Sequence, residues 1–137
     1  MPTTGPASFS GWTNGTVFTP VGGSIVQAFV RGGATFSADF ASGKITGAFT
    51  QMQASGNDGG AQPWNDVSVN ASIAAGTNKF SGGTAVTSVP QNTSSLKASA
   101  TGHIDGAFYG PVAQQLGAIW SLSDGTTSAI GGVVAGH

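Results

Sequence analysis

From Leu96 to Tyr109 the chain alternates without a break. Leu96, Ala98, Ala100, Gly102, Ile104, Gly106 and Phe108 fall on one face; Lys97, Ser99, Thr101, His103, Asp105, Ala107 and Tyr109 fall on the other. A helix cannot gather that set into one stripe, because its side chains return every 3.6 residues, whereas those of a strand return every 2. The same period recurs along the chain. Phe36, Ala38 and Phe40 oppose Thr35, Ser37 and Asp39, and Ile45, Gly47 and Phe49 share a side. Val67, Val69, Ala71 and Ile73 alternate with Ser68, Asn70 and Ser72, and Leu116, Ala118, Trp120 and Leu122 continue the theme. Near the start, Ala7, Phe9 and Gly11 oppose Ser8, Ser10 and Trp12; near the end, Thr127 to Ala135 reads as a last strand. Ala41-Ser42-Gly43, Gly76-Thr77 and Ser123-Asp124-Gly125 read as tight turns, with Gly43 able to take a positive φ.

That makes about eight strands joined mostly by short turns, the pattern of an antiparallel barrel or sandwich. Glycine decides between them. There are 23 glycines in 137 residues, many of them inside strands. Such glycines weaken a ladder but permit sharp coiling and close backbone approach, which small closed barrels need. The expected fold is all-β: a single eight-stranded antiparallel up-and-down β-barrel, one domain over residues 1–137. Three regions break the pattern. Pro20–Gly33, with Ile25-Val26-Gln27-Ala28-Phe29-Val30, is apolar on both sides and reads as a short helix or plug across a barrel end, or as a buried strand. Ser55–Asn65 and Val86–Ser95 read as long polar loops, the usual places for binding.

Composition removes several functions. Charged residues are 7% and the net charge is −1. Arg31, Lys44, Lys79 and Lys97 are scattered singly, so no clustered basic face exists to displace counterions from nucleic acid. There is no cysteine, hence no thiol nucleophile and no Cys₂His₂-type zinc site. No apolar run approaches the ~18 residues of a spanning helix. A membrane-spanning barrel would turn apolar residues and aromatic girdles outward. Here the second face is Ser, Thr, Asn and Lys, and the apolar set is better used as a packed interior. Mean hydropathy of +0.10 with little net charge argues against disorder. A low-charge chain rich in Gly, Ser, Thr, Ala and Asn suits a secreted or cell-surface setting.

The candidate chemistry is sparse. His103 and Asp105 share the polar face of the longest strand, yet a Ser/His/Asp hydrolase also needs a shaped pocket and an oxyanion site. A solvated strand face is the ordinary reading, and no enzyme is expected. His103, Tyr109 and His137 are the side chains able to ligate haem iron or a transition metal. Asp58 and Asp66, with Asn57 and Asn65, offer too few carboxylates for calcium. Trp64, on the long polar loop beside Asn57 and Asp58, is the first choice for anchoring a partner, and Trp12 is the second because it opposes Phe9. The competing reading for both tryptophans is a cap over a barrel end.

The segment from Gly102 to Ala118 carries a more specific signal. Gly106, Phe108, Tyr109, Gly110, Pro111, Ala113 and Gly117 match a Gly-x-Phe-Tyr-Gly-Pro-x-Ala-x-Glu-x-Gly-Gly run. It resembles the hallmark of the β-barrel domain of transferrin-binding protein B. The opening Pro2–Gly11, the Ser37–Gly47 hairpin, Asn78–Gly82 and the closing Gly131–Gly136 fit as well. Gln115 stands where the family has glutamate, and Ala118 where it has a second glycine. On the residues themselves, Gly110-Pro111 stops the ladder, Tyr109 lies over a barrel rim, and Ala113 to Gln115 form one short helical turn.

The resemblance implies an exported, non-enzymatic binding barrel; the family's lobes also carry a handle domain, for which 137 residues leave no room, so a barrel-only relative or an excised barrel module is expected. It implies nutrient acquisition at the bacterial surface, with iron, haem or another nutrient as the cargo. A protein or small-molecule ligand is expected at the loop end of the barrel. Two alternatives stand beside this. One is a structural or adhesive module that self-associates; the other is a lipocalin-like carrier of a small apolar ligand.

Overall fold

In the computed structural model, residues 4–56, 60–90 and 94–136 are described, and among them there are nine strands and no helix. They are β1 (Pro6–Val21), β2 (Ser24–Asp39), β3 (Lys44–Ser55), β4 (Ala61–Pro63), β5 (Val67–Ile73), β6 (Lys79–Val86), β7 (Thr101–Tyr109), β8 (Gln115–Ser123) and β9 (Ser128–Gly136). All pairings are antiparallel. β1, β2, β3, β5, β6, β7, β8 and β9 follow one another around a ring, and β9 closes on β1. The eight-stranded up-and-down barrel is therefore present, with one strand more than expected. Among the described residues that strand, β4, pairs only with the end of β3, outside the ring.

The alternation puts the apolar face inside. Phe36, Phe49, Ile104 and Phe108 are all buried, as are Phe9, Phe80, Trp64 and Trp120. Phe108 packs against Phe9, Phe40 and Phe80 at ring-centroid separations of 5.5, 5.3 and 5.3 Å. Phe49 lies 5.5 Å from Trp120, and Trp64 lies 6.5 Å from it. Glycine between these bulky groups lets neighbouring strands press together. A Cβ on Gly102 would overlap the Ser121 carbonyl, and one on Gly82 the Asn70 carbonyl.

Three local expectations need correction. Of the alternatives for Pro20–Gly33 the strand is the one present, buried only in part, and there is neither helix nor plug. β1 and β2 run through it as one long hairpin turning at Gly22 and Gly23, both with positive φ. β9 pairs with β1 only as far as Phe18, and β3 reaches β2 only at Phe29. Beyond these points the hairpin extends past its outer partners, and Val21, Ile25, Val26 and Phe29 stay exposed although Ala28 and Val30 are buried. Second, the strand expected from Leu96 begins only at Thr101. Leu96 and Ala100 are buried as foreseen, but the Leu96 backbone is claimed by a side chain: its N–H donates to Asn65 Oδ1 at 2.7 Å, and its carbonyl accepts from Asn65 Nδ2 at 2.9 Å. Third, Gly110–Ala113 forms a turn instead of a helical one over Ala113–Gln115, closed by the Ala113 N–H to the Gly110 carbonyl, and Gln115 already opens β8.

Side-chain bonds hold the connecting segments to the barrel. Asp39 Oδ1 accepts from the N–H groups of Ala41 and Ser42, setting the β2–β3 turn that Gly43 completes at φ 72°. Asp124 accepts from the N–H groups of Thr126, Thr127 and Lys97, which ties the β8–β9 turn to the segment before β7. Burial pushes the Asp124 carboxyl up, but donors from Thr127, Lys97 and Thr126 and the Lys97 charge outweigh it and hold the group below its ordinary value.

Asn65 is the hub of one barrel end. It is fully buried, and its Nδ2 donates to Ser88 O at 2.8 Å as well as to Leu96. Replacing it leaves the Leu96 N–H and two carbonyls without these partners. Each orphaned buried group costs about 1–3 kcal/mol, relieved where water enters. Asn65→Ala is expected to lose about 2–4 kcal/mol of stability, read as a lower urea midpoint at unchanged slope.

Candidate functional site

With its interior filled by side chains, the barrel has its outer wall and rims to offer a partner. The outward set is mostly hydroxyl and amide; besides the exposed end of the β1–β2 hairpin, apolar residues interrupt it across β1, β9, β8 and β7. Trp12 is 72% exposed, Ile119 70%, Val134 67%, Ile130 56% and Tyr109 56%. The register makes them neighbours. Trp12 lies opposite Val134, which faces Gly117 on β8; Ile119 lies opposite Gly132 on one side and Asp105 on the other; Ile130 bridges Thr16 and Ser121.

Gly117 and Gly132 give this wall its relief. They point outward between large residues and leave the sheet backbone as a floor. A Cβ on Gly117 would sit 3.5 Å from the Tyr109 ring. Two shallow grooves result, separated by Ile119. One, of about 620 Å³, runs between Trp12 and Tyr109 over Gly117 and Val134. The other, of about 510 Å³, is bounded by His103, Asp105, Thr16 and Ile130. A contiguous apolar area rimmed by polar groups is the usual mark of an interaction surface, whereas scattered apolar residues are not.

The sequence-derived candidates divide accordingly. Trp12, Tyr109 and His103 come together on this wall. Trp64 does not. It is 1% exposed, its Nε1 donates to Ser94 O at 2.9 Å, and its own N–H reaches back to Met52 O at 2.9 Å. That last bond folds the loop return against β3 and drops the indole into the barrel end, so Trp64 is a cap and not an exposed anchor. Asn57, Asp58 and His137 lie outside the described residues.

His103 and Tyr109 both face outward on β7, six residues apart. At about 3.3 Å per residue their backbones are separated by ~20 Å, so they cannot meet on one iron. Ile119, Ile130 and Val134 were missed. The signal was available: each is a β-branched residue on the face that alternation assigns to solvent.

These placements can be set beside known proteins. The family model described as the C-lobe and N-lobe β-barrels of transferrin-binding protein B matches residues 1–137. Comparison with curated protein sequences finds no match. Among solved structures, transferrin-binding protein B from Haemophilus parasuis Hp5 aligns over 98% of this chain and 27% of its own, with 20% identity and a TM-score of 0.66. The isotype 1 protein from serogroup B Neisseria meningitidis aligns over 98% and 26%, with 23% identity and a TM-score of 0.56. The N-lobe domain of lactoferrin-binding protein B from Moraxella bovis aligns over 96% and 60%, with 19% identity and a TM-score of 0.59. At these identities the likeness is one of fold. The chain spans about a quarter of the first two and less than two thirds of the third.

Proposed function

The chain belongs to the transferrin-binding protein B β-barrel family, and on that footing we propose that it is a non-enzymatic protein-binding module of the bacterial surface, serving nutrient acquisition. The observation that carries this reading is the apolar outer wall of Trp12, Ile119, Ile130, Val134 and Tyr109 on a barrel whose interior is already filled. Exposed aliphatic and aromatic groups over a glycine floor suit a protein surface, whose own side chains can enter the grooves. This moves the expected contact from the loop end to the side of the barrel. A lumen ligand, by contrast, would have to displace rings packed 5.3–6.5 Å apart, so the lipocalin-like alternative has no support from the core. The surface setting draws support from relatives, one of which is described as a surface lipoprotein.

The partner class follows from relatives named for transferrin and lactoferrin. Immobilised chain should bind one of these iron carriers saturably. Ile119→Asp, an exposed change that leaves the core alone, should weaken binding by ~10-fold or more, the effect of a desolvated charge at an interface centre. Absence of binding to either carrier removes the iron-acquisition reading. Binding that Ile119→Asp leaves unchanged removes the wall.

A further inference from the structure

We infer that a separate groove on β1, β2 and β3 is a saccharide site that takes a sugar bearing a carboxylate. The groove, of about 460 Å³, lies on the other side of Trp12 from the wall described above and is lined by Trp12, Asn14, Arg31, Gly33, Gln51 and Gln53.

Two features set it apart from ordinary barrel surface. The first is a built irregularity. The β2–β3 register slips between Arg31 and Gly33, and Gln51 adopts a left-handed backbone with φ 53°. Glutamine gains nothing from that conformation, which costs free energy for any residue with a Cβ. The bulge interrupts the alternation, so that Thr50 and Gln51 are both exposed in succession, and Gln53 follows after buried Met52. A bulge that re-aims polar side chains beside a cleft is a recurrent binding device.

The second feature is charge. Arg31 stands between Asn14 on β1 and Gln53 on β3, both uncharged, and among the described residues no carboxylate lines the groove. An unopposed guanidinium beside planar amides is complementary to a carboxylate flanked by hydroxyls: the fork binds the carboxylate in a bidentate manner, and the amides both donate and accept. Trp12 supplies the remaining requirement. Its indole is exposed, and its cross-strand neighbour Gly33 has no side chain to cover the adjoining floor. A pyranose presents an apolar C–H face to such a ring while its hydroxyls reach the rim. One arginine is too little for a polyanion, which needs a track of cations.

The test uses the intact chain with 3′-sialyllactose and lactose as probes, followed by calorimetry. A single shallow subsite predicts a Kd on the order of 1 mM for 3′-sialyllactose and binding at least ~10-fold weaker for lactose. Arg31→Gln should reduce 3′-sialyllactose to the lactose level. Gln51→Gly, which removes both the amide and the left-handed penalty, should weaken binding without lowering the melting temperature. Any of three results overturns the proposal: no saturation by 3′-sialyllactose, equal affinity in Arg31→Gln, or acetate binding as tightly as the sugar, which would leave a bare carboxylate site. The site shares Trp12 with the protein-binding wall but neither Arg31 nor Gln51. Loss of saccharide binding in Arg31→Gln and loss of carrier binding in Ile119→Asp therefore report separately.

Discussion

Ile104→Asp is expected to abolish the cooperative unfolding transition at neutral pH. Ile104 is wholly buried at the centre of β7, opposite Gly82 on one side and Trp120 on the other. Losing a fully buried isoleucine forfeits about 1.5–3 kcal/mol of apolar burial. An uncompensated charge in such a site costs a further ~3–5 kcal/mol. No basic side chain sits on the inward face to pair with it: Arg31, Lys44, Lys79 and Lys97 are all exposed. The combined loss is comparable to the whole stability of a domain this size, about 5–15 kcal/mol. The neighbour one residue back makes the control. His103 is exposed on the opposite face, and His103→Ala should shift stability by no more than about 0.5 kcal/mol. A thermal melt followed by far-UV circular dichroism reads both. A parent-like melt for Ile104→Asp would mean that inside and outside had been exchanged, since a one-residue slip moves every side chain of a strand to the other face.

The same arithmetic explains what the sequence could disclose. Period-two alternation reports only which face a residue takes, and a barrel has only two. Phe9, Phe36, Phe49, Ile104 and Phe108 were therefore readable as core, and Trp12, His103 and Tyr109 as outward, from sequence alone. Alternation carries no information where the ladder is absent. Leu96 kept its inward assignment but lost its strand, because Asn65, remote in sequence, hydrogen-bonds its backbone. Trp64 stood open between anchor and cap for the same reason: a polar stretch such as Gln62-Pro63-Trp64-Asn65 looks solvated until Trp64 N–H and Asn65 bind distant backbone groups and draw it under the rim, which decides for the cap. The long β1–β2 hairpin also required three dimensions, since only the ends of β9 and β3 show where its residues lose their outer partners. The resemblance carried by Gly106-Ala107-Phe108-Tyr109-Gly110-Pro111 located the family, because the stop it encodes belongs to the barrel and not to any ligand. The wall and its grooves depend on which glycines face outward beside which large residues, a relation set by register and invisible along the chain.

Trp120→Ala and Trp12→Ala should separate these two faces by the widest margin that a like-for-like substitution allows. Trp120 points inward against Phe49 and Trp64, and its Nε1 donates at 2.8 Å to Thr13 Oγ1 in the core. Thr13 passes the bond on to Gly132 O at 2.8 Å, so the indole anchors a buried polar relay across β8, β1 and β9. Truncation removes the ring, leaves a cavity that backbone glycines cannot fill, and deprives Thr13 of its donor. The expected cost is about 3–5 kcal/mol, the range for large aromatic truncations in a packed core. Trp120→Phe should recover much of the packing but not the hydrogen bond, and remain about 1–2 kcal/mol below the parent. Trp12→Ala removes the same side chain from an exposed position where it has almost no burial to lose, and should change the urea midpoint by the equivalent of about 0.5 kcal/mol at most. Its cost should appear in binding, because Trp12 forms one bank of the groove toward Tyr109 and of the groove toward Arg31. If Trp12→Ala were the more destabilising of the two, the exposed indole would have to serve the fold, and its place in two binding surfaces would lose its physical ground.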